Sequence, residues 1–372
     1  MQNKPLYKHD LIAVLRSFSP KELKRFSLYL ASDYFNTRKS VQTLFERLMQ
    51  FHPLYTDIKC SKEALYQEVF PSLSYNGGTM RDLLSELFES AVDFLALESL
   101  AKGKRAKMAK INELRKRGLA KQAFKFLNES NNEEECTKLV DSEYFITKYE
   151  LLIQKINLNE IFRRKTQKKS IAELFEDIKN SGLNLILYSI LETLANYSNL
   201  LLMQSKFRET ESEDFMKEIV NKFHKSGLFD LVLKNPKIGF IVEVYMSMLD
   251  SLVKTGNIDK YNRYKSTIAL YASSLSEDEL SMHFSKLINC CIRGAKNGKY
   301  KTYFEHELVG LYSEILEKRL YRNNKTRYVP SNLFRAITLH AVKMNNLSWL
   351  KKVIGKFAND LQPADVDNMR NY

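Results

Sequence analysis

The chain has 372 residues, 44% of them hydrophobic and 27% charged, ordinary values for a sequence that buries a core. Only 12 Gly and 7 Pro occur, too few to punctuate a fold of many short strands, and the balance of 58 Lys and Arg against 44 Asp and Glu leaves a net charge of +14. Four cysteines, Cys60, Cys136, Cys290 and Cys291, form no Cys-x-x-Cys pair, which argues against a disulfide framework and predicts reduced structural thiols.

The segment from Met1 to Phe18 carries Lys4, Lys8, Asp10 and Arg16 and has no unbroken apolar stretch, so no signal peptide is expected and a cytoplasmic location is. Ser19-Pro20-Lys21-Glu22 joins a cap residue, a proline at the first helical position and a reciprocal Glu, predicting a helix to about Ala31 along which Leu23, Phe26, Leu28 and Leu30 lie. Ser61 opens a short helix that stops at Phe70-Pro71. The turn Tyr75-Asn76-Gly77-Gly78 follows, and Thr79 is expected to cap a long helix with Leu84, Leu87, Phe88, Ala91 and Leu95 on one face. Residues 1–100 hold 12 basic and 12 acidic side chains, so the whole positive excess lies beyond them. From Lys102 to Lys121 nine Lys and Arg face the single Glu113, and this change of composition places a domain boundary near 102: a neutral helical domain at 1–101 and a basic one at 102–372.

Beyond the boundary one phrase recurs, a polar helix end, a Gly or Asn, then a fresh apolar start. It reads Arg117-Gly118-Leu119, Lys254-Thr255-Gly256-Asn257-Ile258, Lys296-Asn297-Gly298-Lys299-Tyr300 and Lys343-Met344-Asn345-Asn346-Leu347, with weaker breaks near Leu158-Asn159 and Gln204-Ser205. The spacing of the last three breaks suits one two-helix hairpin per unit. Leu183 to Met203 is the most apolar run, but Asn184, Glu192, Asn196 and Asn199 interrupt it, so it reads as a buried central helix with no membrane insertion. Ser276-Glu277-Asp278-Glu279 reads as another helix start, its carboxylates placed for the dipole. No stretch alternates with period two. The expected fold is all-α: a small N-terminal helical domain followed by an irregular α-solenoid of helical hairpins.

The hairpin phrase resembles tetratricopeptide-like repeats, although their fixed Trp, Gly, Tyr, Ala, Phe and Pro positions are not reproduced together in any unit. The resemblance implies a concave surface for a protein or peptide. Phe18-Ser19-Pro20-Lys21-Glu22-Leu23-Lys24-Arg25-Phe26 and Ser32-Asp33-Tyr34-Phe35-Asn36 resemble phrases of Bacteroidetes helical proteins in which a compact N-terminal domain precedes a repeat body; that resemblance implies no activity. Ser61–Phe70 with Thr79–Leu100 loosely resembles the helix-turn-helix of winged-helix regulators. Its second helix opens with Arg81 but also Asp82, Glu86 and Glu89, the wrong net sign for phosphates.

Phosphate-binding, dinucleotide-binding, zinc-protease and nucleophile-elbow motifs are all missing. The histidines His9, His52, His224, His283, His306 and His340 make no i,i+3 or i,i+4 pair, and His283 and Cys290 share a face too far apart for one metal. The sequence therefore predicts no enzyme, no cofactor and no metal, but an interaction protein with a protein or peptide partner. The alternative is a nucleic-acid-associated protein using three basic clusters. The first holds Lys104, Arg105, Lys107, Lys110, Arg115, Lys116 and Arg117 around a narrow stripe of Met108, Ile111 and Leu114. The second is Arg163, Arg164, Lys165, Lys168 and Lys169. The third, Lys318, Arg319, Arg322, Lys325 and Arg327, interleaves Tyr321 and Tyr328, a pattern suited to phosphate contact with stacking. The same clusters serve an acidic protein partner, or merely keep helix ends solvated. Richness in Lys, Asn, Ser, Tyr and Phe also follows from AT-rich codons, which gives the charge a compositional explanation beside a functional one.

Overall fold

The computed structural model describes residues 6, 9–57, 59–102, 104–136, 139–163, 171–207, 215–235, 238–296, 298–322 and 328–361. Among the described residues there are 17 α-helices and no strands, so the fold is all-α. The chain divides into two compact units, 1–109 and 110–372.

Unit 1 is built from α1 (Asp10–Ser17), α2 (Pro20–Leu30), α3 (Lys39–Met49), α4 (Lys62–Val69) and α5 (Gly77–Lys102). The capping box of α2 is fully formed: Ser19 N–H donates to Glu22 Oε2 at 2.7 Å, and Glu22 N–H donates back to Ser19 Oγ at 3.3 Å. One local expectation needs correction. The cap of α5 is Asn76, whose Oδ1 accepts from the N–H groups of Gly78 and Thr79, because Asn reaches the first free amides better from one turn earlier. Leu23, Phe26, Leu28 and Leu30 all lie along α2 as expected; Leu23, Phe26 and Leu30 form its core face, and Leu28 is 73% exposed. Phe26 centres this core, its ring 5.5 Å from Phe18, 5.0 Å from Phe45 and 5.3 Å from Phe94. Offset and edge-on pairs of this kind add stabilisation beyond the buried area.

The dividing line falls inside α6 (Lys104–Lys116). Unit 2 continues with α7 (Ala120–Cys136), α8 (Ser142–Arg163), α9 (Ile171–Phe207), α10 (Phe215–Lys225), α11 (Leu228–Leu233), α12 (Gly239–Val253), α13 (Ile258–Tyr271), α14 (Glu277–Gly294), α15 (Lys301–Glu317), α16 (Ser331–Lys343) and α17 (Leu347–Phe357). Most neighbours in the chain pack on one another, as α7 on α8, α8 on α9, α12 on α13, α14 on α15 and α16 on α17; α9 also meets α12, and α12 meets α14. The turns have a common physical device. Gly118 and Gly256 sit at φ of 75° and 80°, and Asn345 at 54°, the left-handed conformation that ends a helix and lets the last carbonyls find donors. Leu119 N–H thus donates to Leu114 O, and Asn346 N–H to Ala341 O, both at 2.9 Å. Arg319 adopts the same conformation after α15 without being Gly or Asn, so the sequence offers no sign of that turn.

Two expected breaks are not there. Leu158 and Asn159 are buried in the interior of α8, where Asn159 continues the helix instead of turning left-handed, and Gln204-Ser205 lies within the last turns of α9. Asn297 lies outside the described residues. The apolar run in α9 is also less buried than the sequence suggests. Within Leu183 to Met203, Leu187, Ile190, Leu191 and Leu194 enter the core, but Leu183, Leu185, Ile186 and Met203 are exposed, as are Ile171, Phe175 and Ile178 earlier in α9. By length and composition Ile171–Gln204 is apolar enough to cross a bilayer, a test that core helices of soluble proteins also pass. Isolated parallel bridges, Val140 with Leu275 and Val329 with Leu361, tie distant loops together and are the only extended pairings described.

Candidate functional site

The first basic cluster lies on α6. Its apolar stripe forms as the spacing requires, with Met108 9% and Ile111 0% exposed, and the cations lie around it. Lys104, Arg105, Lys110, Lys116 and Arg117 are exposed; Lys107 and Arg115 are half-buried. Arg117 Nε donates to Glu113 Oε1 at 2.8 Å one turn away, and this pair holds the Glu113 carboxyl below its ordinary range. Lys121 and Lys125 of α7 add two more exposed cations.

The third cluster is built differently from its sequence pattern. Tyr321 is 3% exposed and donates to Asp360 Oδ2 at 2.7 Å, so its ring is committed to the core and cannot stack on a base. Arg322 reaches the other oxygen of Asp360 at 3.1 Å, and Lys318 donates to Glu314. Arg319 and Tyr328 remain exposed. Two of the cations read as a phosphate footprint are therefore matched by carboxylates, one of them 38 residues away. Lys325 and Arg327 lie outside the described residues, as do Arg164, Lys165, Lys168 and Lys169 of the second cluster and the side chain of Arg163 at the end of α8.

The structure also assembles a buried polar group that the sequence reading passed over. Ser276 does cap α14, accepting from Glu279 N–H at 3.2 Å, but the Glu279 side chain is not a solvated capping carboxylate. It is 6% exposed and accepts from the Tyr245 hydroxyl at 3.0 Å on both oxygens. His283, fully buried one turn on, places Nε2 3.4 Å from Glu279 Oε2 and Nδ1 2.8 Å from the Tyr264 hydroxyl. Tyr245 of α12 and Tyr264 of α13 thus meet the Glu279–His283 pair of α14 from both sides. Burial raises both phenols far above their ordinary range, with the Glu279 carboxylate adding to the effect.

The same helix face continues with Lys286 and Cys290. Lys286 is 4% exposed, donates to Asn199 of α9, and is pushed down by burial to about 8. Ser251 donates to Cys290 Sγ at 3.4 Å, and burial pushes Cys290 up to about 11 and Cys291 up to about 12. Both thiols are accordingly protonated at neutral pH and poor nucleophiles. Glu307 of α15 accepts from the Tyr261 hydroxyl at 2.7 Å and from Lys265 Nζ at 2.6 Å. Glu279, His283, Lys286 and Cys290 occupy i, i+4, i+7 and i+11, a spacing visible in the sequence; what could not be seen was their partners, Tyr245 for Glu279, Tyr264 for His283, Asn199 for Lys286 and Ser251 for Cys290.

Chemically, a carboxylate, an imidazole and two phenols in contact could move a proton, but Tyr245, Tyr264 and His283 are each no more than 2% exposed. No substrate reaches them in this conformation. The arrangement pins α12, α13 and α14 in one register, because any slip would strand a buried polar group. Among the described residues no group of three or more His, Cys, Asp or Glu could hold a metal ion. A small cleft with mixed lining, about 60 Å³ between α14, α15 and α16, is bordered by Lys296, Glu305, His340 and Lys343. That volume accommodates a few waters. No protein family, curated protein or solved structure matches the chain.

Proposed function

We propose that the chain is a non-enzymatic interaction protein that binds a protein or peptide partner through helical hairpins of unit 2. The observation that carries this reading is the succession of neighbour-on-neighbour helix pairs in unit 2, two of which, α12 with α13 and α16 with α17, are joined by a left-handed Gly or Asn. Arrays of that kind bury a continuous core and leave an extended ridged surface for a partner. The closed state of the most reactive-looking cluster supports the same reading, since its ionisable groups are spent on one another. A partner with acidic character fits the exposed cations Lys110, Lys116, Lys121 and Lys125.

Those cations also support the second reading, association with nucleic acid, and one titration separates the two. Binding of the full chain to a random duplex and to a single strand is measured from low to physiological salt. The protein-binding reading expects no measurable affinity at physiological salt and recovery of a nuclease-resistant partner on affinity purification. A steep linear fall of log affinity with log salt, shallower in a Lys110→Glu/Lys116→Glu variant, establishes the nucleic-acid reading instead.

A further inference from the structure

The helix α9 is apolar on two opposite sides. One side carries the core residues Leu187, Ile190, Leu191 and Leu194. On the other, Ile171, Phe175, Ile178 and Leu185 are 64%, 59%, 47% and 39% exposed, with Ile186 at 47% beside them. Gly182 and Ser189 fall on the same line. Residues 171, 175, 178, 182, 185 and 189 alternate spacings of four and three, the seam of a heptad. Large apolar side chains scattered singly over a surface are normal, but a continuous row marks an interaction site.

The small members of the row are suited to close approach. The Ser189 hydroxyl donates to Leu185 O at 2.9 Å, and Thr193 to Ser189 O at 2.7 Å, so neither needs water or a partner. A Cβ at Gly182 would meet nothing within 4 Å. Glycine is disfavoured in a helix interior, and here the chain's own packing does not call for it.

We propose that this row is a homodimer interface in which α9 of two copies packs antiparallel about a two-fold axis near residue 180. The second copy is the occupant because the row complements itself under that operation. Ile178 meets Gly182 of the second copy, Ile171 meets Ser189, and Phe175 meets Leu185. Bulky side chains thus face small ones or a flat apolar neighbour, and symmetry repeats each layer. A parallel pair would set Phe175 on Phe175 and Gly182 on Gly182, a clash followed by a gap. Lys179 lies at the margin near the axis, its Nζ already 2.8 Å from Glu176 Oε1.

At 1.5 Å per residue the row is about 27 Å long and roughly 10 Å wide, which buries on the order of 600 Å² over both copies. Stable interfaces bury about twice that or more, so the dimer is a weak, exchanging one.

Analytical ultracentrifugation of the full chain from about 1 µM to about 500 µM, a range wide enough to populate a weak dimer, tests the proposal. The wild type shifts from monomer to dimer across it. Phe175→Glu and Ile178→Glu stay monomeric with unchanged far-UV circular dichroism, because both sites are solvent-exposed. The register is tested in a Cys136→Ser background: Ile178→Cys mixed with Gly182→Cys forms a disulfide-linked dimer on mild oxidation, at least fivefold faster than either variant alone. A wild type that is monomeric throughout overturns the proposal, as does a dimer that survives Phe175→Glu or cross-linking that is equal in the mixed and single samples.

Discussion

Gly294 and Gly310 both lie in helices, yet replacing each with Ala is expected to change stability in opposite directions. A Cβ on Gly294, the last residue of α14, would sit 2.5–2.8 Å from three carbons of the Phe304 ring, whose side chain is 1% exposed and packed in the core. A Cβ on Gly310, in the exposed middle of α15, meets nothing within 4 Å. In both, Ala gains about 1 kcal/mol of helix propensity over Gly. At Gly294 the ring must retreat by about 1 Å into a filled interior, an overpacking that costs about 1–3 kcal/mol and sits toward the upper end because a ring moves as one rigid body. Gly294→Ala is therefore expected to destabilise by about 1–2 kcal/mol and Gly310→Ala to stabilise by about 0.5–1 kcal/mol. Urea unfolding followed by circular dichroism reads both, and Gly294→Ala/Phe304→Leu should recover most of the loss by removing the clashing edge. If Gly294→Ala proves as stable as the wild type, the close crossing of α14 on α15 is wrong.

Tyr245→Phe removes the donor to both Glu279 oxygens and leaves a buried carboxylate short of partners, which should cost about 1.5–3 kcal/mol in the same assay. Combining it with Glu279→Gln in a double-mutant cycle should give strong coupling; additive losses would mean that the two do not interact. Lys286 has a folded value of about 8 against an ordinary 10.5, so between those pH values the unfolded chain binds more protons and the burial penalty fades as pH rises. Lys286→Met should accordingly stabilise at pH 7, with a gain that shrinks from pH 8 to pH 10.5; a gain independent of pH would refute the assignment. Burial lowers the His340 value below 6.5, so the stability it contributes is present above that pH and lost as pH falls, and His340→Phe should flatten that acid limb of the stability profile.

The local grammar of this chain was largely legible. Ser19-Pro20-Lys21-Glu22 formed its box, and Gly118, Gly256 and Asn345 took the left-handed turns their positions implied, because caps and turns are decided within four residues. The misreadings were local competitions of similar energy. Asn76 outcompeted Thr79 as a cap, and Leu158 and Asn159 were buried against the core, so α8 ran on through a site where Asn alone suggested a stop.

Electrostatics was legible only as charge. Lys318, Arg319 and Arg322 stand together in the sequence, but that Asp360 answers Arg322 while Tyr321 turns inward depends on chain closure across 38 residues. Glu279 likewise reads as a helix-start carboxylate until Tyr245, 34 residues earlier, is folded against it. Taken alone, the sequence determined that the chain is helical, where many of its helices start and stop, and which part carries the positive excess, since those properties follow from side chains and near neighbours. Only the tertiary structure decided which polar groups are spent in the core and which apolar row of α9 is left outside it. Burial and pairing are properties of surfaces that meet, and no local pattern specifies what lies across the contact.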